Sequence, residues 1–251
     1  MAVTLLGSRL TEAHRLAQLS VSREAVRNVL RVWPLLDPMA LDATFPRYAE
    51  VMTAVLAQHK QRSAAVAAQY LRSFREAEGV PGTVDIRLLD ALARRQALTS
   101  LLVTGPIATK VGVRGGLTLD MAHQKALEQT LGAATRLVLQ GGRDTVIETV
   151  KADEQALGWA RIADSDPCHF CAMLAGRGAV YKEETVDFKP HDKCGCTAEP
   201  VYSEEYKMPD RSRQWSDLWG EVTGGLSGQD AINAFRRAYE AKRKTALITD
   251  A

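Results

Sequence analysis

Pro167-Cys168-His169-Phe170-Cys171, followed after nineteen intervening residues by His191-Asp192-Lys193-Cys194-Gly195-Cys196, is the stretch on which the fold reading turns. It holds all 4 cysteines of a 251-residue chain. Two residues between paired thiolates let the backbone fold back so that both sulfurs reach one ion, and His191, Cys194 and Cys196 stand at a suitable distance to complete a tetrahedron. Five candidates therefore compete for four positions: Cys168, Cys171, His191 and one of Cys194 and Cys196, with Cys196 preferred for its place at the edge of a predicted strand. His169, next to Cys168, reads as a surface residue. Three other readings stand beside a structural Zn²⁺. Disulfides across the two halves suit an oxidising compartment. A redox Cys-x-x-Cys would follow a βαβ pattern that is missing here, and four plain buried cysteines would carry no chemistry. A zinc closed by four protein ligands stabilises a fold and leaves no position for catalytic water.

Working outward, the chain around this stretch is short-segmented from Gly158 to Tyr206, with short strands predicted over Trp159–Ala163 and Thr197–Tyr202. On either side the pattern is helical. Val26, Val29, Leu30 and Trp33 share a helix face, which Pro34 and Asp37-Pro38 end. A second helix is expected from near Pro46, with Ala67, Tyr70, Leu71 and Phe74 on its apolar face and Gly79 and Pro81-Gly82 as its stop. Asp85 reads as the cap of a third, carrying Leu89, Leu92, Leu98, Leu101 and Leu102 and closed by Gly105-Pro106. After a glycine-rich stretch, Gly112 to Gly116, a fourth carries Leu127, Leu131, Ala134 and Val138 and stops at Gly141-Gly142. Asp144 would cap a short fifth through about Asp153. Beyond Pro209, Trp215, Leu218, Trp219 and Val222 share one face, and Ile232, Phe235 and Tyr239 another. The tryptophan stripe fits either the chain's own core or a docking anchor. The fold class is mainly α: a helical part over 1–155, a small α+β Cys/His zinc-type module over 156–206, and a helical tail over 207–251.

Composition narrows the function classes. Hydrophobic residues make up 46% and charged residues 25%, so a packed core is expected and global disorder is not. With 32 basic against 30 acidic residues, a net charge of +2 excludes a histone-like electrostatic binder but not a local basic face. No run approaches a membrane span, and no signal peptide is seen at the start. Arg23, Arg27 and Arg31 recur every four residues, and Arg236, Arg237, Lys242, Arg243 and Lys244 crowd the last helix. Either set fits phosphate or acidic-surface contact, or a solvated helix face. A nucleophile elbow, His-Glu-x-x-His and a phosphate loop are all missing from the sequence.

From Leu157-Gly158-Trp159-Ala160-Arg161 through Asp164-Ser165-Asp166-Pro167-Cys168-His169-Phe170-Cys171, Gly176-Arg177-Gly178 and Val180-Tyr181 to His191-Asp192-Lys193-Cys194-Gly195-Cys196-Thr197-Ala198-Glu199-Pro200-Val201-Tyr202, the chain resembles the phage Mu F-type (MuF-like) minor head proteins of actinobacterial tailed phages. Leu36-Asp37-Pro38, Leu41-Asp42-Ala43-Thr44-Phe45, Leu101-Leu102-Val103-Thr104-Gly105-Pro106 and Gly141-Gly142-Arg143-Asp144 are similar to the same proteins. The resemblance implies a minor capsid protein of head morphogenesis. Its place would be inside the virion, and in the host cytoplasm during assembly. The implied partners are the portal protein, the major capsid or scaffold protein, and packaged double-stranded DNA. Relatives labelled capsid maturation protease make that the alternative activity. A zinc-bound nuclease is a third reading, for which no second catalytic histidine is found.

Overall fold

The computed structural model describes residues 2–181, 188 and 190–249. Three long helices make the body: α1 (Leu5–Val32), α2 (Leu41–Ala77) and α5 (Leu119–Ala152). Thr4 caps α1 by accepting from the Gly7 N–H at 2.9 Å, and its own hydroxyl donates to Glu78 Oε1 at 2.6 Å, tying the start of α1 to the end of α2. The buried stripe of α1 runs Gly7, Thr11, His14, Gln18, Val21, Ala25, Val29 in steps of three or four. The face expected from Val26 and Leu30 is therefore rotated: Leu30 is exposed, while Val29 and Trp33 are buried.

Gly141 and Gly142 do not end a helix, because α5 runs through them. They sit where α5 crosses its neighbours. A Cβ on Gly141 would lie 2.5 Å from the Lys60 carbonyl oxygen, and one on Gly142 would lie 2.4 Å from Gln18 Nε2 and 2.9 Å from Ser63 Oγ. These glycines serve close approach, not termination. Asp144 accordingly lies inside α5 and caps nothing. At the crossing, Gln18 Nε2 donates to the Ser63 carbonyl at 2.9 Å and Ser63 Oγ donates to Gln18 Oε1 at 2.7 Å, so these buried polar groups are paired.

Further helix boundaries differ from expectation. α2 begins at Leu41, with Pro46 inside it. Asp85 caps no helix: the 80–93 segment is extended along α5, where the Arg87 and Leu89 N–H groups donate to Thr149 and Thr145 Oγ1, each at 3.0 Å. Two threonines one turn apart on α5 thus accept from the strap's backbone. α3 (Arg94–Leu102) is not closed by Gly105-Pro106 but passes through a π-helical turn, Val103–Ile107, into α4 (Ala108–Arg114). The wider turn absorbs the proline's missing donor.

The remaining segment forms a three-stranded antiparallel sheet, ordered β2-β1-β3, with β1 Gly158–Ile162, β2 Ala179–Tyr181 and β3 Thr197–Val201. Trp159 pairs with Val180 on one side and Pro200 on the other. Helix α6 (His169–Ala175) links β1 to β2, and α7 (Asp210–Val222) and α8 (Gly228–Thr249) fold over it. Trp215 and Leu218 pack with Ala172, Met173, Phe235 and Tyr239, so the tryptophan stripe is part of the chain's own core. Cys171, Cys194, Cys196 and Trp159 share one apolar cluster with Tyr70, Leu71 and Phe74 of α2 and Val146, Ile147 and Val150 of α5. The sheet and the helical body are continuous at that seam.

Candidate metal centre

Cys168 precedes α6 as its cap, and its sulfur accepts from the Cys171 N–H at 3.5 Å. One helical turn carries Cys171 round to the same side. The second half of the site is a turn laid on α5. Lys193, at φ 67°, adopts the left-handed conformation that reverses the chain, and its N–H donates to the Gly132 carbonyl at 3.2 Å. Arg136 Nε bonds Asp192 at 2.7 Å. A Cβ on Gly195 would lie 2.8 Å from Asp164 Oδ2, which accepts from the Gly195 N–H at 3.1 Å. The glycine between Cys194 and Cys196 is thus where the turn meets the end of the β1 segment.

These supports gather the five residues named from spacing into two overlapping triads, Cys168–Cys171–His191 and Cys171–Cys194–Cys196, with ligand atoms within 4.8 Å of one another in each. His191 Nε2 lies 3.0 Å from Cys168 Sγ and 3.2 Å from Cys171 Sγ, and Cys171 Sγ lies 3.6 Å from Cys194 Sγ. Ligand-to-zinc bond lengths in a tetrahedron imply sulfur–sulfur edges of about 3.8 Å and nitrogen–sulfur edges of about 3.5 Å. The separations are close to these edges, and the donor set is compatible with a metal ion. The imidazole is oriented as a ligand would be. Its Nδ1 lies 2.7 Å from the Asp192 carbonyl, a contact that places the proton there and turns the Nε2 lone pair toward the sulfurs. All four cysteines are free thiols rather than disulfides.

Electrostatics divide the thiols into two kinds. Cys168 is lowered to about 5, first by its hydrogen bond with Cys171, and Cys194 is lowered as well, again first by its hydrogen bond with Cys171. Cys171 is raised by the same bonds, foremost that with Cys168. Cys196 is raised to about 12: its bond with Cys171 pulls it down, but its bond with Cys194 and burial outweigh that. Burial lowers His191, yet its bond with Asp192 and the charges of Cys168 and Cys194 leave it raised overall. A cluster in which thiolate character is already favoured at two sulfurs is chemically suited to a soft or borderline divalent cation.

Two arginines that spacing did not single out line this cluster. Arg143 Nε donates to the Cys196 carbonyl at 2.8 Å, and its Nη2 donates to the Cys194 carbonyl. Arg161 donates to the Phe188 carbonyl, with Nη1 4.0 Å from Cys194 Sγ. The one sequence signal for them is a charged residue inside an otherwise apolar run, as in Trp159-Ala160-Arg161-Ile162.

Other predicted residues lie elsewhere. His169 faces Glu240 at 3.7 Å, outside the cluster. Arg23, Arg27 and Arg31 are exposed on α1, remote in sequence from the ligands, and Arg31 Nη1 donates to Asn28 Oδ1. On α8, Arg236, Arg237 and Lys244 are exposed, Lys242 faces Glu221 at 3.8 Å, and Arg243 pairs with Asp166 beside the Cys-x-x-Cys. Among the described residues no serine hydroxyl is hydrogen-bonded to a histidine; His59 meets Asn28 and His123 meets Thr109. Among the described residues no helix is long and apolar enough to cross a membrane.

A family model described as VG15 protein matches residues 8–222. Neither curated proteins nor solved structures gave a match.

Proposed function

The chain belongs to the VG15 protein family, a family of phage gene products, and from that premise we propose that it is a minor capsid protein of head morphogenesis that associates with the portal inside the head. Its Cys/His cluster holds one structural Zn²⁺. The observation that carries the metal half is the convergence of five donors, from a helix start and a distant turn, within an apolar core. Cys168, Cys171 and His191 would be three ligands. Cys194 is the fourth we favour, because its sulfur stands 3.6 Å from Cys171, with Cys196 deeper behind it. Bound there, the ion supplies a cross-link between α6 and the turn before β3. The protein's own residues orient the donors and favour the thiolate at Cys168 and Cys194.

Surfaces suited to assembly support the partner half. The helical run 94–114 contains no acidic residue, carries Arg94, Arg95, Lys110 and Arg114, and exposes Leu102, Val103, Ile107 and Val111. An apolar stripe with basic flanks suits a partner presenting apolar and acidic groups. Arg23, Arg27 and Arg31 offer a separate basic face for portal or packaged DNA.

The test has two arms. Metal analysis of the purified protein should give one zinc per chain, lost together with thermal stability on chelation; a metal-free chain that folds and takes up no added zinc rejects the metal half. Co-expression with the portal protein of the same phage should give a complex that survives purification, and a portal that elutes alone rejects the partner half.

A further inference from the structure

Arg143 and Arg161 are 2% and 3% exposed, and among the described residues neither has a carboxylate at ion-pair distance. Both guanidiniums lie against the ring of Phe188, with centroid distances of 5.0 and 3.7 Å. Arg143 Nη1 is buried with no hydrogen-bond partner. Two guanidiniums withdrawn from water onto one aromatic ring repel each other, and each carries a large desolvation cost unless negative charge stands nearby. Asp164, the carboxylate on the neighbouring turn, is committed to the N–H groups of Gly195 and Asp166. Among the described residues, the groups beside them left to supply negative charge are the sulfurs.

We propose that Arg143 and Arg161 are internal counter-cations of the metal centre, and that Arg143 also positions it by holding the carbonyls of Cys194 and Cys196 in one planar fork. The proposal rests on the metal reading above. A divalent ion with three thiolates and a neutral imidazole is left with one net negative charge, and with four thiolates it carries two. Such a complex, buried, needs cations as much as the buried guanidiniums need anions. The fork adds geometry to charge. Its Nε and Nη2 fix the Cys196–Thr197 and Cys194–Gly195 peptide units, and with them the direction in which the two sulfurs leave the backbone.

The test uses the full chain loaded with zinc, and separately with Co²⁺. Wild type, Arg143→Lys, Arg143→Met, Arg161→Lys and Arg161→Met are challenged with a chromophoric chelator at fixed pH. The methionine variants should give up zinc about 10- to 100-fold more readily, the range typical of lost outer-shell partners of a metal site. Arg161→Lys, which keeps the charge, should stay near wild type, and Arg143→Lys should fall between. The thiolate-to-cobalt charge-transfer band should shift in the methionine variants. That shift would not accompany a purely structural loss. If a methionine variant fails to fold, its lysine counterpart and the cobalt spectrum decide. Variants that retain zinc as tightly as wild type, with unchanged cobalt spectra, overturn this proposal alone. A wild-type chain that binds neither metal overturns the metal reading and this proposal with it.

Discussion

His14 should make this protein acid-sensitive, by an amount that can be worked out. Its side chain is 4% exposed, stacked on Tyr70 at a centroid distance of 4.3 Å and an interplanar angle of 12°, with Nδ1 buried and unpartnered. Burial lowers its pKa from 6.5 to about 3. The unfolded chain therefore takes up the proton first, so the stability contributed by the neutral ring is complete above about pH 6.5 and is lost as the pH falls toward 3. With the two pKa values above, the loss is about 2 kcal/mol at pH 5 and about 3 kcal/mol at pH 4. His14→Phe keeps a ring for Tyr70 and removes the titration. Urea unfolding of zinc-loaded wild type and variant near pH 7.5 and near pH 5 isolates the effect. Protonation of the metal ligands weakens both chains alike and cancels in the difference. Wild type should lose about 2 kcal/mol more than the variant between the two conditions. Parallel losses would show that His14 is protonated in the folded chain and would refute the reasoning.

The glycine crossing and the buried ion pair give further tests. Gly141→Ala should destabilise by about 1–3 kcal/mol, because the Lys60 carbonyl that its Cβ would strike is backbone and cannot swing away. Gly220→Ala in α7, with nothing within 4 Å of its Cβ, should stabilise by up to about 1 kcal/mol. Denaturant midpoints that rank the two the other way would reject the close-approach account. Asp153→Asn should cost about 3–5 kcal/mol, since it leaves the Arg75 guanidinium buried without its ion-pair partner. A loss below 1 kcal/mol in urea unfolding would place that pair in water.

Most of the helical architecture could be read from the sequence where the buried faces are apolar. Tyr70, Leu71 and Phe74 on α2, Ala134 and Val138 on α5, and Phe235 and Tyr239 on α8 are all buried as their spacing predicts. It failed where burial is polar. The first half of α1 packs Thr11, His14 and Gln18 inward, so hydrophobic periodicity carries no signal there; further along, Val29 and Trp33 are buried as their spacing predicts and Leu30 is not. Glycine and proline misled for a related reason. Their local preference is to end helices, but Gly141 and Gly142 sit inside α5 against residues distant in sequence, Lys60, Ser63 and Gln18, and a π turn accommodates Pro106. The Cys/His cluster was legible because ligand chemistry forces short spacings within each half. Arg143 and Arg161 were not, because residues that the fold brings against the cluster can come from anywhere in the chain.

One turn of α5 joins these observations. Gly141 and Gly142 bring α2 and α1 to within contact of the helix backbone, and the next residue, Arg143, reaches the opposite way to hold the carbonyls of Cys194 and Cys196. Further back along the helix, Gly132 accepts from Lys193 and Arg136 binds Asp192. The ligand turn is thus registered against the same rod that sets the bundle crossing, and the sulfurs pack with α2 and α5 side chains instead of forming a separate core. A catalytic metal needs a ligand position open to substrate. Here Cys171, Cys194 and Cys196 are buried, with carbonyls, guanidiniums and an aromatic ring around them, and Cys168 and His191 form the half-buried rim. That arrangement suits the structural cross-link proposed above, fastening α6 to a ligand turn that is itself laid on α5.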